Sequence, residues 1–291
     1  MKKRYDLLIV GHVTHDQLID RGRESWFTGG GAFFASFAAR RSGASVLAVT
    51  RLAAGDLGLL EPLRAEGVEV VAHPGAATTS IRNVFETADL DRRTVTLLTQ
   101  GEPFGLKDLP PVEASVCLLT GLFRGEIPDE LIQPLSRRGR VALDLQGVLR
   151  TSREGAFSWQ DWPAKSRLLP LISFLKADAL EAEVIAGTTE RVEAARRLAA
   201  WGAREVMITH SSEVLVFDGT VLAAAPFNPA NLSGRTGRGD TCFGAYLARR
   251  LTHGVADSLR YAAALTSLKM EKPGPFSGTK KEALKRMKAS G

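Results

Sequence analysis

Toward its C-terminal end the chain reads Gly234-Arg235-Thr236-Gly237-Arg238-Gly239-Asp240, then Thr241-Cys242-Phe243-Gly244-Ala245-Tyr246-Leu247. The glycines belong to a loop that bends sharply. Phe243, Leu247 and Leu251 then recur at a spacing that puts them on one face of a helix. A glycine-rich turn opening a helix is an anion site: the first-turn N–H groups lack partners, and the helix dipole adds positive charge. Glycine also lets backbone approach an oxyanion closely. Asp240 sits one residue beyond the last loop glycine. With an alcohol beside it and a phosphate at the amides, its carboxylate is placed to accept the hydroxyl proton, as phosphoryl transfer requires. The same residues also suffice to cap and start a helix with no chemistry at all. They are not the nucleotide loop ending in Gly-Lys-Ser/Thr, since no lysine follows the second glycine.

The stretch resembles a signature of the ribokinase/PfkB carbohydrate kinase family, Asp-Thr-x-Gly-Ala-Gly-Asp. Gly237, Gly239 and Asp240 match it, Gly234 stands where the family usually has Asp, and Arg238 where it usually has Ala. The resemblance implies that Asp240 is the catalytic base and that the amides of Gly237, Arg238, Gly239 and Asp240 form the anion hole. The Arg238 departure leaves a backbone hole intact. The Gly234 departure leaves a monovalent-cation site near this loop open.

Elements that position such a loop are legible along the chain. Leu7-Leu8-Ile9-Val10-Gly11 reads as a buried parallel strand, and Asp16 follows at the end where open α/β sheets place ligands. By itself Asp16 fits a turn; the resemblance makes it a residue that holds substrate hydroxyls. Gly29-Gly30-Gly31 then opens a helix that runs to Arg41 and ends at Ser42-Gly43. In the family this is the loop on which the substrate lies, so Gly30, Gly31 and Phe34 are expected against it. Phe34 stands where Asn is common, which points away from the ribokinase substrate set and toward the inositol-kinase-like branch. Asp144-Leu145-Gln146-Gly147-Val148-Leu149-Arg150 is similar to a segment of that branch. Asp144 and Arg150 are expected to hold hydroxyls or phosphates, or to pair with each other and brace the loop.

Lys176-Ala177-Asp178-Ala179-Leu180-Glu181 closes another strand and starts a helix, with Asp178 and Glu181 spaced as a capping box. The family carries Asn-x-x-Glu here, which implies a second role in ordering the water shell of Mg²⁺. Thr209-His210-Ser211-Ser212-Glu213 occupies the place of a nucleotide-binding turn but lacks its glycines. Nucleotide contacts are expected at Thr209, Ser211, Thr236, Gly237, Gly239 and Ala263, the last standing where Asn is common beside adenine.

Between Thr78 and Gln100, apolar residues alternate with polar ones around Asp89-Leu90-Asp91-Arg92, a hairpin pattern. The expectation is one doubly wound α/β domain over residues 1–291, ribokinase-like and flanked by helices. A small β lid is expected within 12–28 and 78–100. The net charge of +6, from 38 basic and 32 acidic residues, suits an anionic substrate and is too evenly spread to mark a nucleic-acid surface. Cys117 and Cys242 form no CxxC pair, which argues against a zinc site or a disulfide framework. No run approaches the ~18 apolar residues of a membrane span, and the first apolar run is too short for a signal peptide. These readings point to a cytoplasmic protein, and the resemblance implies a kinase that uses ATP and Mg²⁺ to phosphorylate a sugar or polyol, with a homodimer through the lid a further expectation. The rival readings are a nucleoside kinase of the same fold and a non-catalytic sugar or nucleotide sensor.

Overall fold

Runs of consecutive apolar residues become strands buried on both faces, because helices cover both sides of a parallel sheet. A computed structural model describes residues 3–86 and 94–289. Its strands are β1 (Arg4–Val10), β2 (Thr14–Asp20), β3 (Arg23–Gly29), β4 (Val46–Ala53), β5 (Glu69–Gly75), β6 (Ser80–Phe85), β7 (Thr94–Thr99), β8 (Glu113–Leu119), β9 (Arg140–Asp144), β10 (Arg150–Arg153), β11 (Ala156–Trp159), β12 (Ile172–Asp178), β13 (Glu205–Thr209), β14 (Glu213–Phe217) and β15 (Leu222–Pro226). The helices are α1 (Gly31–Arg41), α2 (Glu61–Ala65), α3 (Ile132–Ser136), α4 (Gln146–Leu149), α5 (Lys165–Leu168), α6 (Ala179–Ala186), α7 (Arg191–Ala200), α8 (Arg238–Arg249), α9 (Val255–Met270) and α10 (Lys280–Ala289).

The main sheet has the order β15-β14-β13-β12-β9-β8-β1-β4-β5. From β5 to β13 neighbouring strands run parallel, and β14 and β15 close one edge antiparallel. Alternate residues of β1 feed opposite faces: Leu7 and Ile9 join one core, Leu8 and Val10 the other. The first core takes α1, α8 and α9; the second takes α6 and α7. The C-terminal ends of β1, β9, β12 and β13 therefore open on the same edge, bringing the Gly11 loop, Asp144, Asp178 and Thr209 together.

A second sheet has the order β3-β2-β6-β7, with β2 parallel to β6 (Gln17 opposite Arg82) and β6 antiparallel to β7. The expected turn at Asp89–Arg92 lies outside the described residues. Residues 54–60 form a 3₁₀ turn followed by the short α2, with Pro62 in its first turn. The segment after Asp144 makes α4 and an unforeseen hairpin, β10–β11, whose turn residue Glu154 adopts φ +52°.

Helices α1 and α8 begin at the two glycine loops, so their packing sets the distance between those loops. Gly244 makes this contact close: a Cβ on it would stand 2.4 Å from the Ala35 carbonyl oxygen. At the other end of α8, Tyr246 donates a hydrogen bond to Glu205 (2.7 Å) and Arg250 pairs with the same carboxylate (2.8 Å), which anchors the helix to β13. Gly244→Val is therefore expected to separate the helices and cost about 1–3 kcal/mol, measured as a lowered Tm; an unchanged Tm would show that the contact does not constrain α8.

Candidate active site

The loop before α8 is built on Phe34. Gly237 is the N-cap with φ +75°, and a Cβ there would stand 2.3 Å from Cγ of Phe34. Phe34 is only 3% exposed. It lies beneath the turn that the resemblance had it face across a substrate. The Arg238 amide donates to the Arg235 carbonyl (3.2 Å) and the Thr241 amide to the Gly237 carbonyl (2.9 Å). Between them, the amides of Gly239 and Asp240 make no backbone hydrogen bond among the described residues. Of the four amides expected for an anion, that of Arg238 is the one taken by a backbone carbonyl among the described residues.

A cleft of about 430 Å³ runs past this loop, lined by Lys176, Asp178, Thr209 and residues 236–240. Leu18, Asp20 and Phe85 border it from the second sheet. Asp240 Oδ1 lies 3.1 Å from the point where a side chain on Gly31 would begin, so the first helix start and the carboxylate are direct neighbours. Gly30 and Gly31 are buried beside it.

Asp144 and Arg150 do not pair. Both oxygens of Asp144 take the Lys176 ammonium at 3.0 Å, and Oδ1 also accepts the Gln146 amide at 3.1 Å. Arg150 instead donates to the Leu122 carbonyl (2.7 Å) and stacks between Phe123 and Phe157. Burial raises the Asp144 carboxyl to about 6, with Lys176 opposing and Asp240 reinforcing that rise. Burial lowers Lys176, yet Asp144, Glu181, Asp240 and Asp178 outweigh it and hold the ammonium well above its ordinary range.

Asp178 and Glu181 form the capping box that their spacing predicts: Asp178 accepts the Glu181 amide (2.8 Å), and Glu181 accepts the Asp178 amide (2.7 Å). Glu181 is fully buried, and burial pushes its carboxyl up to about 8 against the pull of Lys176. Its Oε1 has no hydrogen-bond partner among the described residues. No three His, Cys, Asp or Glu side chains converge as a direct metal cage among the described residues. One ammonium among four carboxylates, with a carboxylate oxygen to spare, fits a cation that arrives with its own waters and phosphates.

The nucleotide set is only partly assembled. Thr209 lines the cleft at the end of β13. Ser211 sits on the exposed turn, where its carbonyl accepts from Arg238 Nη1 (3.4 Å). Ala263 is buried inside α9, its carbonyl taken by Ser267, and it does not line the cleft. Several residues had not been singled out for the site: Lys176, Lys269, Gln146 and the lid side chains Leu18, Asp20 and Phe85. Lys176 was readable as a lone charge in the apolar run Phe174-Leu175-Lys176-Ala177. The lid residues carry no local signal.

Asp16 is 3% exposed, accepting from Thr14 Oγ1 (2.9 Å) and from the Ile81 amide (3.0 Å). Burial raises its carboxyl from 3.8 to about 6, with both hydrogen bonds and Arg150 opposing. Between those values the unfolded chain has released a proton that the folded chain retains. Stability is therefore lost as pH rises through that window, and the loss is complete above it. Asp16→Asn is expected to raise stability by up to about 3 kcal/mol near pH 8 and to leave it unchanged near pH 4. Thermal melts at both pH values check this, and an equal change at both would refute the assignment.

The pfkB family carbohydrate kinase model matches residues 7–282. A cytidine kinase of Thermococcus kodakarensis is 28% identical over 256 residues, spanning 84% of this chain and 87% of that protein. Among solved structures, a pyrophosphate-dependent kinase of the ribokinase family in a sulfate complex is 33% identical, with TM-score 0.89 over 96% of this chain and 99% of that one. A pyrophosphate-dependent kinase of the ribokinase family complexed with a pyrophosphate analog and myo-inositol is 32% identical, with TM-score 0.88 over 96% and 99%. Ribokinase of Arabidopsis thaliana, complexed with ribose and ATP, shares the fold at TM-score 0.78 and 20% identity, over 98% and 99% of the two chains. Strand order, the two glycine loops and the family match agree: the chain belongs to the pfkB family of carbohydrate kinases, phosphotransferases that use an alcohol as acceptor.

Proposed function

We propose that this protein transfers a phosphoryl group from inorganic pyrophosphate to a hydroxyl of a cyclic polyol of the inositol type. The observation that carries the reading is the place of Asp240, with Gly31 against its carboxylate on one side and the open Gly239 and Asp240 amides on the other. Asp240 takes the hydroxyl proton as the oxygen bonds to phosphorus. The bond from that phosphorus to the bridging oxygen breaks, and orthophosphate leaves. The amides of Gly239 and Asp240, with Lys176 beside them, hold the charge on the transferring group. Asp178 and Glu181 would hold a phosphate-bound Mg²⁺ through water, and that ion would neutralise charge between the two phosphates. Asp16, Gly30 and Gly31 position the acceptor, and Asp144 acts through Lys176.

Three features support pyrophosphate over ATP. The turn after Thr209 lacks the glycines that bring backbone to a nucleotide. Arg238 reaches across to Ser211 and lies 5.8 Å from the Phe227 ring, so a guanidinium occupies the path from the phosphate loop to that turn. Ala263 offers no polar group to a base. The relatives at 33% and 32% identity are pyrophosphate-dependent. An ATP-dependent nucleoside kinase is the second reading, favoured by the cytidine kinase match.

Purified protein with Mg²⁺ is to be offered pyrophosphate or ATP against myo-inositol, ribose and cytidine. A polyol phosphate ester formed from pyrophosphate is the expected product; turnover with ATP alone, or on cytidine alone, would overturn the proposal. Asp240→Asn is expected to lower kcat about 10²–10⁴-fold while the protein stays folded, and full activity in that variant would remove Asp240 as the base.

A further inference from the structure

Behind the anion hole lies a second charged group that the reaction scheme does not use. Lys269 is on α9, 2% exposed, within the buried face formed with Tyr261, Ala262 and Leu265. Its Nζ donates to the carbonyls of Gly234 and Thr236 and lies 5.2 Å from the centroid of the Phe34 ring. No carboxylate forms an ion pair with it among the described residues. Two carbonyl oxygens and a ring face make the kind of environment that suits a desolvated monovalent cation. The charged groups facing it are Asp240 and Arg238, both from α8.

The Gly234 loop is shaped around this contact. The Gly234 amide donates to the Met270 carbonyl (2.8 Å), and a Cβ on residue 234 would stand 1.7 Å from the Lys272 carbonyl oxygen. A side chain at 234, including the Asp found in the family, cannot enter without moving the loop off the end of α9. The side-chain-free position 234 and the buried ammonium thus concern the same few atoms.

We propose that Lys269 is a positioning residue, a tethered monovalent cation that locks the Gly234–Thr236 carbonyls and thereby aims the following amides at the phosphate. The chain then carries covalently the charge that a free potassium or ammonium ion would supply at such a loop. The inference rests on the anion-hole reading given above, not on the identity of the acceptor. Burial lowers the Lys269 ammonium to about 8, with Asp240 opposing. Its charge is present below that pH and lost above it, so binding at the loop is expected to weaken as pH rises through about 8.

The test measures the Kd of pyrophosphate by calorimetry for the wild type and Lys269→Met, in choline chloride and in ammonium or potassium chloride of equal ionic strength. The wild type is expected to bind alike in all three salts. The variant is expected to bind about 10- to 100-fold more weakly in choline and to recover in ammonium or potassium. Undiminished binding in choline would overturn the proposal. So would a loss that no cation restores, which would mark Lys269 as packing alone. If Lys269→Met does not fold, the wild-type pH profile decides, with a flat affinity across pH 7–9 counting against the proposal. If the wild type binds ATP and not pyrophosphate, the donor reading fails, and the same comparison run with ATP still tests the lysine.

Discussion

A backbone-to-backbone contact between two helices fixes the geometry on which everything else relies. Where α8 crosses α1, Gly244 lies against the Ala35 carbonyl with no room for a side chain. Each helix begins at one of the two glycine loops: α1 after Gly30, α8 after Gly237. Two rigid rods crossing at a fixed point leave little freedom at their near ends, so the Asp240 carboxylate and Gly31 are held as neighbours before any ligand arrives. This is preorganisation achieved by packing.

Charge is arranged around that frame in two layers. On the cleft side, Lys176 is shared by Asp144 and Glu181, with Asp178 and Asp240 close enough to add to its field. That excess of carboxylates over a single ammonium is the field that the proposed divalent cation would meet. Behind the loop, the Lys269 ammonium sits on two carbonyls with no carboxylate ion pair among the described residues. The two lysines thus have opposite surroundings: one holds acidic side chains, the other the carbonyls of Gly234 and Thr236.

Much of the frame was legible because local signals carried it. The apolar run at Leu7–Val10 became a strand, Gly29-Gly30-Gly31 opened a helix to Arg41, and Asp178 and Glu181 formed their box. What escaped notice depended on contacts between residues distant in the chain. Nothing near Phe34 reveals that its ring supports Gly237 more than two hundred positions away, and nothing near Arg150 shows that its guanidinium stacks on Phe123 and Phe157 while Asp144 belongs to Lys176. The hairpin β10–β11 was missed for another reason: its strands are four residues each and lack an apolar pattern strong enough to register. Lys269 had a weak signal, a cation four positions after Leu265 on a buried helical face.

The small hairpin has a mechanical effect. Its Gly155 carbonyl accepts from the Leu97 amide of β7 (3.0 Å), while inside the second sheet Asp16 on β2 holds the Ile81 amide of β6. The roof over the cleft is thus braced within itself and tied at its β7 edge to the β10–β11 hairpin. Any tilt of that roof must pull on the strand that begins with Arg150, or else undo the Leu97 stitch. Pressure from whatever fills the acceptor pocket would in this way be felt as tension in the aromatic stack around Arg150.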